Sequence, residues 1–458
     1  MSQTEQLEAD ICVIGGGSGG LSVAAGAAQM GARVVLLEGG KMGGDCLNYG
    51  CVPSKALLHA AREGLSWRAA HAHVAATIAA IAPHDSVERF EGLGVRVIRA
   101  YGAFVARDVV EAGPFRIRAR RFVIATGSSP FIPPIPGLDR VPYVTNETVF
   151  TLKRRPQHLL IIGGGPIGME MAEAHRLLGS EVTVIEGMKA MGRDDPEMAV
   201  HVLDAERARG IAIEEDAMAA GVRGRAGAIE VEVKDGRVFT GTHLLVAVGR
   251  KANTARLNLE AAGITPTRTG IKVDAGLRTT NRKVYAIGDV TGGLQFTHVA
   301  GYQAGVILRS MLFGLPSRAK THHIPWATYT SPELAQVGLT EDQARAAHGR
   351  RLKVVRFDFA GNDRAIATGR TNGLIKAMVV RGRPVGVSIV GPDAGELINL
   401  WALALANGMK MSHIAAMVAP YPTLGEINKR VAGACFAPRL FDNPRVKRIV
   451  GLVQKYLP

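Results

Sequence analysis

Two stretches of the chain share one arrangement of apolar and polar positions. Residues 9–40, ADICVIGGGSGGLSVAAGAAQMGARVVLLEGG, match residues 158–188, HLLIIGGGPIGMEMAEAHRLLGSEVTVIEGM, at one constant offset. In each, an apolar run predicts a buried strand, a glycine cluster a turn and an alanine-rich stretch a helix. A further glycine ends the helix, and a second apolar run predicts a strand that stops at an acid. The offset superposes Gly15 on Gly163, Gly17 on Gly165, Gly20 on Gly168, Gly31 on Gly179 and Glu38 on Glu186. Two βαβ units are therefore expected, and with them an α/β fold.

Later apolar runs fill in the organisation. RFVIATGS at 121–128 and LLVAVGR at 244–250 predict strands that end in a small residue plus glycine, each closing one of the two units. KVYAIGDV at 283–290 ends on Asp289, and its position suggests that the chain returns to the first unit. Arg116, Arg118 and Arg120 alternate with smaller residues as on the wet face of a strand. From Trp326 the pattern changes to strands at 374–380 and 384–390, followed by helical stretches near 394–408 and 423–434, a separate α+β domain. The segment Leu397 to Ala419 is apolar, but Asn399, Asn407, Lys410 and His413 interrupt it, so a buried or interface helix is expected and no membrane partner.

Composition changes this picture in three ways. A chain of 458 residues exceeds one core, and 47% apolar content fills two or three. The net charge of +15 favours anionic partners, yet the basic residues are scattered and aromatics are few, which argues against nucleic acid. The polar, acidic start lacks the basic-then-apolar form of a secretory signal, and four cysteines are too few for a disulfide framework; a cytoplasmic protein is expected.

The repeated glycines carry the first chemistry. In Gly15-x-Gly17-x-x-Gly20 and Gly163-x-Gly165-x-x-Gly168, the first glycine permits a tight turn, the second lets backbone approach a pyrophosphate and the third lets helix and strand pack closely. Glu38 and Glu186 then reach ribose hydroxyls. A carboxylate repels a 2′-phosphate, so Glu186 points to NADH over NADPH, although Lys189 and Arg193 follow it closely.

The second chemistry lies in GGDCLNYGCVPSK, residues 43–55. Five steps of regular helix rise about 7.5 Å and turn the side chains apart, whereas a disulfide needs α-carbons within about 7 Å. Bridging Cys46 and Cys51 requires a local break, which Gly50 and Pro53 permit, and a strained, accessible bridge is easily reduced. Two thiols with no nearby histidine or second cysteine pair fall short of a metal site. Cys12 and Cys435 read as core residues.

With these motifs in order, and with YTSPELAQVGLTEDQA at 329–344, the chain resembles the flavoprotein disulfide reductases, the class I pyridine nucleotide-disulfide oxidoreductases, over essentially its whole length. CVPSK is similar to the dihydrolipoamide dehydrogenase branch. The resemblance implies two Rossmann-like domains, for FAD and NAD(P)H, and a C-terminal α+β dimerisation domain. The corresponding divisions are 1–147, 148–270, 271–325 as the return to the first domain, and 326–458. It implies Cys51 against the flavin, Cys46 toward the substrate, Lys55 near flavin N5 paired with Glu170, and Asp289 on the ribityl chain or pyrophosphate. Gly44, Gly102, Thr126, Gly127, Thr297, Gly249 and Arg250 are further implied cofactor contacts. Pro166 stands where some relatives place a tyrosine over the flavin.

One departure bears on substrate. Residues 421–426 read Tyr-Pro-Thr-Leu-Gly-Glu where dihydrolipoamide dehydrogenases have a catalytic histidine in place of Tyr421. Tyrosine, with an ordinary pKa near 10, is a poor base at neutral pH. The mercuric reductases also carry tyrosine there, but with a vicinal cysteine pair that Cys435 alone does not supply. Three readings remain: reduction of an organic or protein disulfide, reduction of a soft metal ion, and a low-turnover NADH-responsive binding partner. In the resembling family the site is shared across a homodimer, so Tyr421 and Glu426 are expected to complete the partner subunit's disulfide site.

Overall fold

The computed structural model describes residues 5–457. By contacts the chain divides into two compact units, one running to Gly187 and including Glu214–Lys320, the other comprising Met188–Ile213 and Thr321 onward.

In the first unit a seven-stranded sheet places Val95–Ile98, Val34–Leu37, Glu5–Ile14 and Phe115–Ile124 side by side and parallel. Val284–Ala286 joins Phe115–Ile124 in parallel, and the hairpin Ala103–Ala106 with Val109–Ala112 extends the sheet antiparallel. The register Ile14↔Leu37, Ile14↔Ile124 and Ala286↔Ile124 brings four carboxyl ends to one edge, where open parallel sheets bind ligands. Ile11, Val13 and Val123 pack under the helix residues Leu21, Val23 and Ala24, while Cys12, Ile14 and Phe122 fill the opposite face with Phe104 and Val110. Both faces are covered, which is why the strand sequence is a continuous apolar run. Arg116, Arg118 and Arg120 are exposed while Ile117 and Ala119 between them are buried.

The second repeat builds a smaller sheet in the order Ala212–Glu214, Glu181–Ile185, His158–Ile162, His243–Val246, with a three-stranded antiparallel sheet, Ala219–Arg225, Ala228–Val233 and Val238–Gly241. The two runs read as single strands to residues 128 and 250 are interrupted. Phe115–Ile124 stops before Ala125 and resumes at Ser128–Pro130, and His243–Val246 stops and resumes at Arg250–Ala252. Gly127 and Gly249 have φ of +66° and +133°, which turn the chain out of the sheets, and the resumed pieces pair with each other, Ser128 opposite Ala252.

The second unit is a five-stranded antiparallel sheet in the order Pro325–Thr328, Glu333–Gly338, Arg383–Gly391, Leu374–Val380, Leu352–Asp358. Its core gathers Ile375, Ala377, Ile389 and Trp401 with Ile427 and Val431 of the helix Glu426–Ala434. The expected helix at 394–408 divides into Ala394–Leu397 and Asn399–Ala406. Trp401 is fully buried, and no helix among the described residues is long and apolar enough to cross a membrane. The helix Pro196–Ala208 is tied to this unit by charge: Lys376, its side chain only 2% exposed, lies 2.6 Å from Asp195, 2.8 Å from Glu197 and 3.0 Å from Glu341.

Candidate active site

The two glycine loops have the same construction. A Cβ on Gly15 would lie 2.4 Å from the Ala125 carbonyl oxygen and one on Gly163 would lie 2.5 Å from that of Ala247. A Cβ on Gly20 or Gly168 would sit 1.9 or 2.0 Å from the carbonyl oxygen of the first glycine. These four glycines are required by the protein's own packing. Gly165 is different: an added Cβ would meet nothing within 4 Å, and at Gly17 only the Gly44 Cα, at 3.8 Å. The protein leaves room there, at the N-termini of the helices Ser18–Gln29 and Pro166–Leu177, and such backbone suits a pyrophosphate.

Glu38 and Glu186 occupy equivalent places at the strand ends. Glu38 accepts hydrogen bonds from the backbone N–H of Gly16 and of Gly40, both at 2.6 Å, and Glu186 accepts one from Gly164 at 2.7 Å. Each carboxylate thus braces its glycine loop.

The cysteine segment is stitched to the first loop. Gly43 N–H donates to the Gly16 carbonyl at 2.9 Å, and a Cβ on Gly44 would come within 2.7 Å of the Gly17 Cα. The helix Gly44–Asn48 carries Cys46, the chain breaks at Tyr49 and Gly50, and a new helix, Cys51–Arg62, begins with Cys51 itself. At the break Gly50 packs against Asp45, so that a Cβ there would meet its carboxylate at 2.8 Å. Pro53, in the first turn, needs no intrahelical donor.

Cys46 and Cys51 stand here as free cysteines, the dithiol form of the pair. The Cys46 S–H donates to the Cys51 sulfur, and this bond comes first among the causes that lower the Cys51 pKa to about 6. The Thr297 hydroxyl, 3.4 Å from Cys51 Sγ, and the Lys55 charge lower it too, against partial burial and Glu170. The position of Cys51 at a helix N-terminus favours the same thiolate. Cys46 is pushed up by the same hydrogen bond, by burial and by the Cys51 charge. The pair is therefore a thiolate, Cys51, beside a thiol, Cys46.

One turn along, Lys55 Nζ lies 2.7 Å from the Glu170 carboxylate, and Arg62 reaches Glu173 at 2.8 Å. Glu170 and Glu173 stand on the helix of the second glycine repeat, so two ion pairs fasten the redox helix to the second nucleotide unit.

Asp289 accepts from the Ser128 hydroxyl at 2.6 Å, and burial raises its pKa despite that bond and the nearby Arg250. The Arg250 guanidinium, 11% exposed, donates to the Ser128 hydroxyl and carbonyl, each at 2.7 Å, and lies 3.1 Å from the Asp45 carboxylate, which Asn146 also approaches at 3.2 Å. Arg250, expected as a cofactor ligand, has these donors taken up inside the protein. Thr126 bonds through its hydroxyl to the Asn253 carbonyl at 2.7 Å. Gly102 is required by packing, since a Cβ would sit 2.6 Å from Leu37 Cδ1. Ser128 and Asp45 lie inside the motifs at 121–128 and 43–55 without being assigned a role there, and Asn146 carries no motif signal.

In the second unit Tyr421 is 69% exposed and its hydroxyl donates to the Asp363 carboxylate at 2.8 Å. That bond orients the ring: Asp363 follows Asn362, whose amide holds the Thr423 carbonyl at 3.2 Å, while Glu426 opens the helix Glu426–Ala434. Asp363 raises the Tyr421 pKa.

Comparison with known proteins accords with this arrangement. The family profile described as pyridine nucleotide-disulphide oxidoreductase matches residues 9–304, and the dimerisation domain of that family matches 324–432. A mercuric reductase of Bacillus cereus is 34% identical over 441 residues, covering 91% of this chain and 70% of that protein. A dihydrolipoyl dehydrogenase of Staphylococcus aureus is 33% identical over 456 residues, covering 93% and 96%. The solved structure of the HOCl-induced flavoprotein disulfide reductase RclA from Escherichia coli superposes with a TM-score of 0.86 at 29% identity, covering 93% of this chain and 99% of that one.

Proposed function

This chain belongs to the pyridine nucleotide-disulphide oxidoreductases, enzymes that use FAD and NAD(P)H and pair through the dimerisation domain, and on that premise we propose that it reduces an organic or protein disulfide with NADH. The observation that carries the reading is the polarised pair: a thiolate at Cys51, held by Cys46, Thr297 and Lys55, and a protonated Cys46.

The glycine loops and the room at Gly17 and Gly165 fit two dinucleotides, with Glu38 and Glu186 placed for ribose hydroxyls. Bound FAD supplies the conversion of a hydride into an electron pair delivered to the Cys46–Cys51 disulfide. Opening that bridge leaves the thiolate at Cys51 and, with one proton, the thiol at Cys46. Transfer of that proton along the S–H···S bond to Cys51 frees Cys46 to attack a substrate disulfide, expelling one thiolate and forming a mixed disulfide. Cys51 then returns its proton to a leaving thiolate and attacks the Cys46 sulfur, which restores the bridge and releases the second thiol. The balance is NADH, one proton and a disulfide in, NAD⁺ and two thiols out. Tyr421 of the partner subunit, with Asp363 and Glu426, belongs to the substrate side in this reading. The FAD domain spans 1–147 with 271–325, the NAD(P) domain 148–270 and the interface domain 326–458. A reducing cytoplasm suits the four thiols.

Reduction of a soft metal ion is the second reading, favoured by Tyr421, whose phenol is no base, and by the 34% identity to a mercuric reductase. Against it, Cys435 is buried in the core of the second unit and offers no relay thiol. NADH consumption measured with a panel of disulfides, quinones and mercuric ion separates the readings. Disulfide turnover that Cys46→Ser abolishes is the expected result; turnover with mercuric ion or quinones alone overturns it.

A further inference from the structure

The helix Pro444–Tyr456 buries none of its residues. Val446, Ile449, Val450, Val453 and Tyr456 recur at intervals of three and four, so they form one stripe, with Leu452 at its margin. Ile449 is 60% exposed, Leu452 53% and Tyr456 68%, and the short helix before it, Ala437–Phe441, adds an exposed Phe441. The opposite side carries Lys447, Arg448, Gly451, Gln454 and Lys455. From Asn443 to Tyr456 there are four cations and no acid. The helix also lies beyond residue 432, where the match to the dimerisation domain ends. It is thus an amphipathic helix of one sign of charge, with its apolar side uncovered by the rest of the chain, outside the residues that match the family's dimerisation domain.

We propose that this helix docks the enzyme on an anionic lipid bilayer, lying in the plane of the surface. Charge complementarity selects this occupant. At a bilayer the apolar stripe enters the acyl boundary while Arg445, Lys447, Arg448 and Lys455 remain level with lipid phosphates, the long basic side chains reaching outward along their own methylenes. A second copy of the helix would satisfy the stripe but would leave the four cations of each helix without an anion, which a surface of lipid phosphates supplies. The sequence reading excluded a membrane partner from the absence of a spanning segment, and a surface helix needs none.

The test uses the FAD-loaded full chain and vesicles of phosphatidylcholine with or without phosphatidylglycerol, scored by cosedimentation. The expected result is binding to the anionic vesicles alone, falling with salt, and weaker by about tenfold or more in Lys447→Glu/Arg448→Glu, since each cation near such a surface is worth roughly fivefold. Ile449→Asp/Leu452→Asp should abolish binding with FAD content and NADH oxidation in solution unchanged, which shows that the variant is folded. Equal binding to neutral vesicles, no binding to anionic ones, or undiminished binding of the Ile449→Asp/Leu452→Asp variant would overturn the proposal; the last would assign binding to the overall positive charge. A smaller assembly of that variant by analytical ultracentrifugation would also overturn it, by showing that another copy covers the stripe.

Discussion

The Lys55 ammonium meets the Glu170 carboxylate at 2.7 Å, so the helix that opens with Cys51 is held by the helix that follows the second glycine loop. The two charges act on Cys51 in opposite senses, Lys55 lowering its pKa and Glu170 raising it. Glu170→Gln removes the opposing charge and loosens the positioning together. Cys51 should then titrate still lower, while disulfide turnover falls about 10- to 100-fold through misplacement of Lys55. Alkylation rates of Cys51 against pH, with steady-state kinetics, separate the effects; unchanged values of both would remove Glu170 from the site.

Cys51 is an acid whose pKa is depressed to about 6, so its thiolate persists as pH falls from 9 and disappears only through about 6. Thr297→Val deletes one hydrogen bond to it and should move the midpoint of Cys51 alkylation upward in the reduced enzyme. A midpoint at the free-thiol value in the parent would contradict the polarised pair.

Glu186 braces the second glycine loop through Gly164. NADH should give the higher kcat/KM, and Glu186→Ala should narrow the difference by admitting a 2′-phosphate. A tenfold advantage for NADPH in the parent would reassign the specificity to Lys189 or Arg193.

Asp363 raises the Tyr421 pKa, so Asp363→Asn should lower it while leaving the phenol neutral at pH 7. Tyr421→Phe should slow disulfide turnover with NADH-driven FAD reduction nearly unchanged. Hybrid dimers of Cys46→Ser and Tyr421→Phe subunits should regain activity, one composite site being intact. Verified subunit exchange without recovery would place Tyr421 outside the shared site.

Removing Lys376 strands Asp195, which is 2% exposed. Lys376→Met should cost about 3–5 kcal/mol by denaturant unfolding. Glu197 has its pKa lowered to about 2, first by Arg356 and then by Lys376. Its contribution is therefore complete above its ordinary value of 4.5 and lost only as pH falls through about 2. Acid unfolding of the parent should be correspondingly late, and a variant as stable as the parent would show the cluster to be neutral.

The parts of this site that were readable in the sequence are those whose demands are local. Gly20 is fixed by the Gly15 carbonyl five residues before it and Gly15 by its own φ of +113°, so their spacing survives as a motif, and the Gly50 break is written between the cysteines it serves. Asp363 lies 58 residues from Tyr421 and Ser128 lies 161 from Asp289, and neither partner leaves a periodic or compositional trace. The strand interruptions at Gly127 and Gly249 were missed for another reason: an apolar run signals burial, and the left-handed glycine that ends it looks the same as any other. The apolar stripe on Pro444–Tyr456 is readable at its spacing of three and four, but the helix is too short to give the signal of a membrane span.

The four sulfurs divide into two populations. Cys12 is sealed in the first sheet, where burial drives its pKa upward, and Cys435 is enclosed in the second unit's core, while Cys51 is exposed and ionised beside Cys46. Oxidants attack thiolates they can reach, so exposure to air should close the Cys46–Cys51 bridge and leave the other two intact. Such a protein ages into its own resting state: the lesion that would disable another thiol enzyme returns this one to the start of its cycle, and a single NADH repairs it.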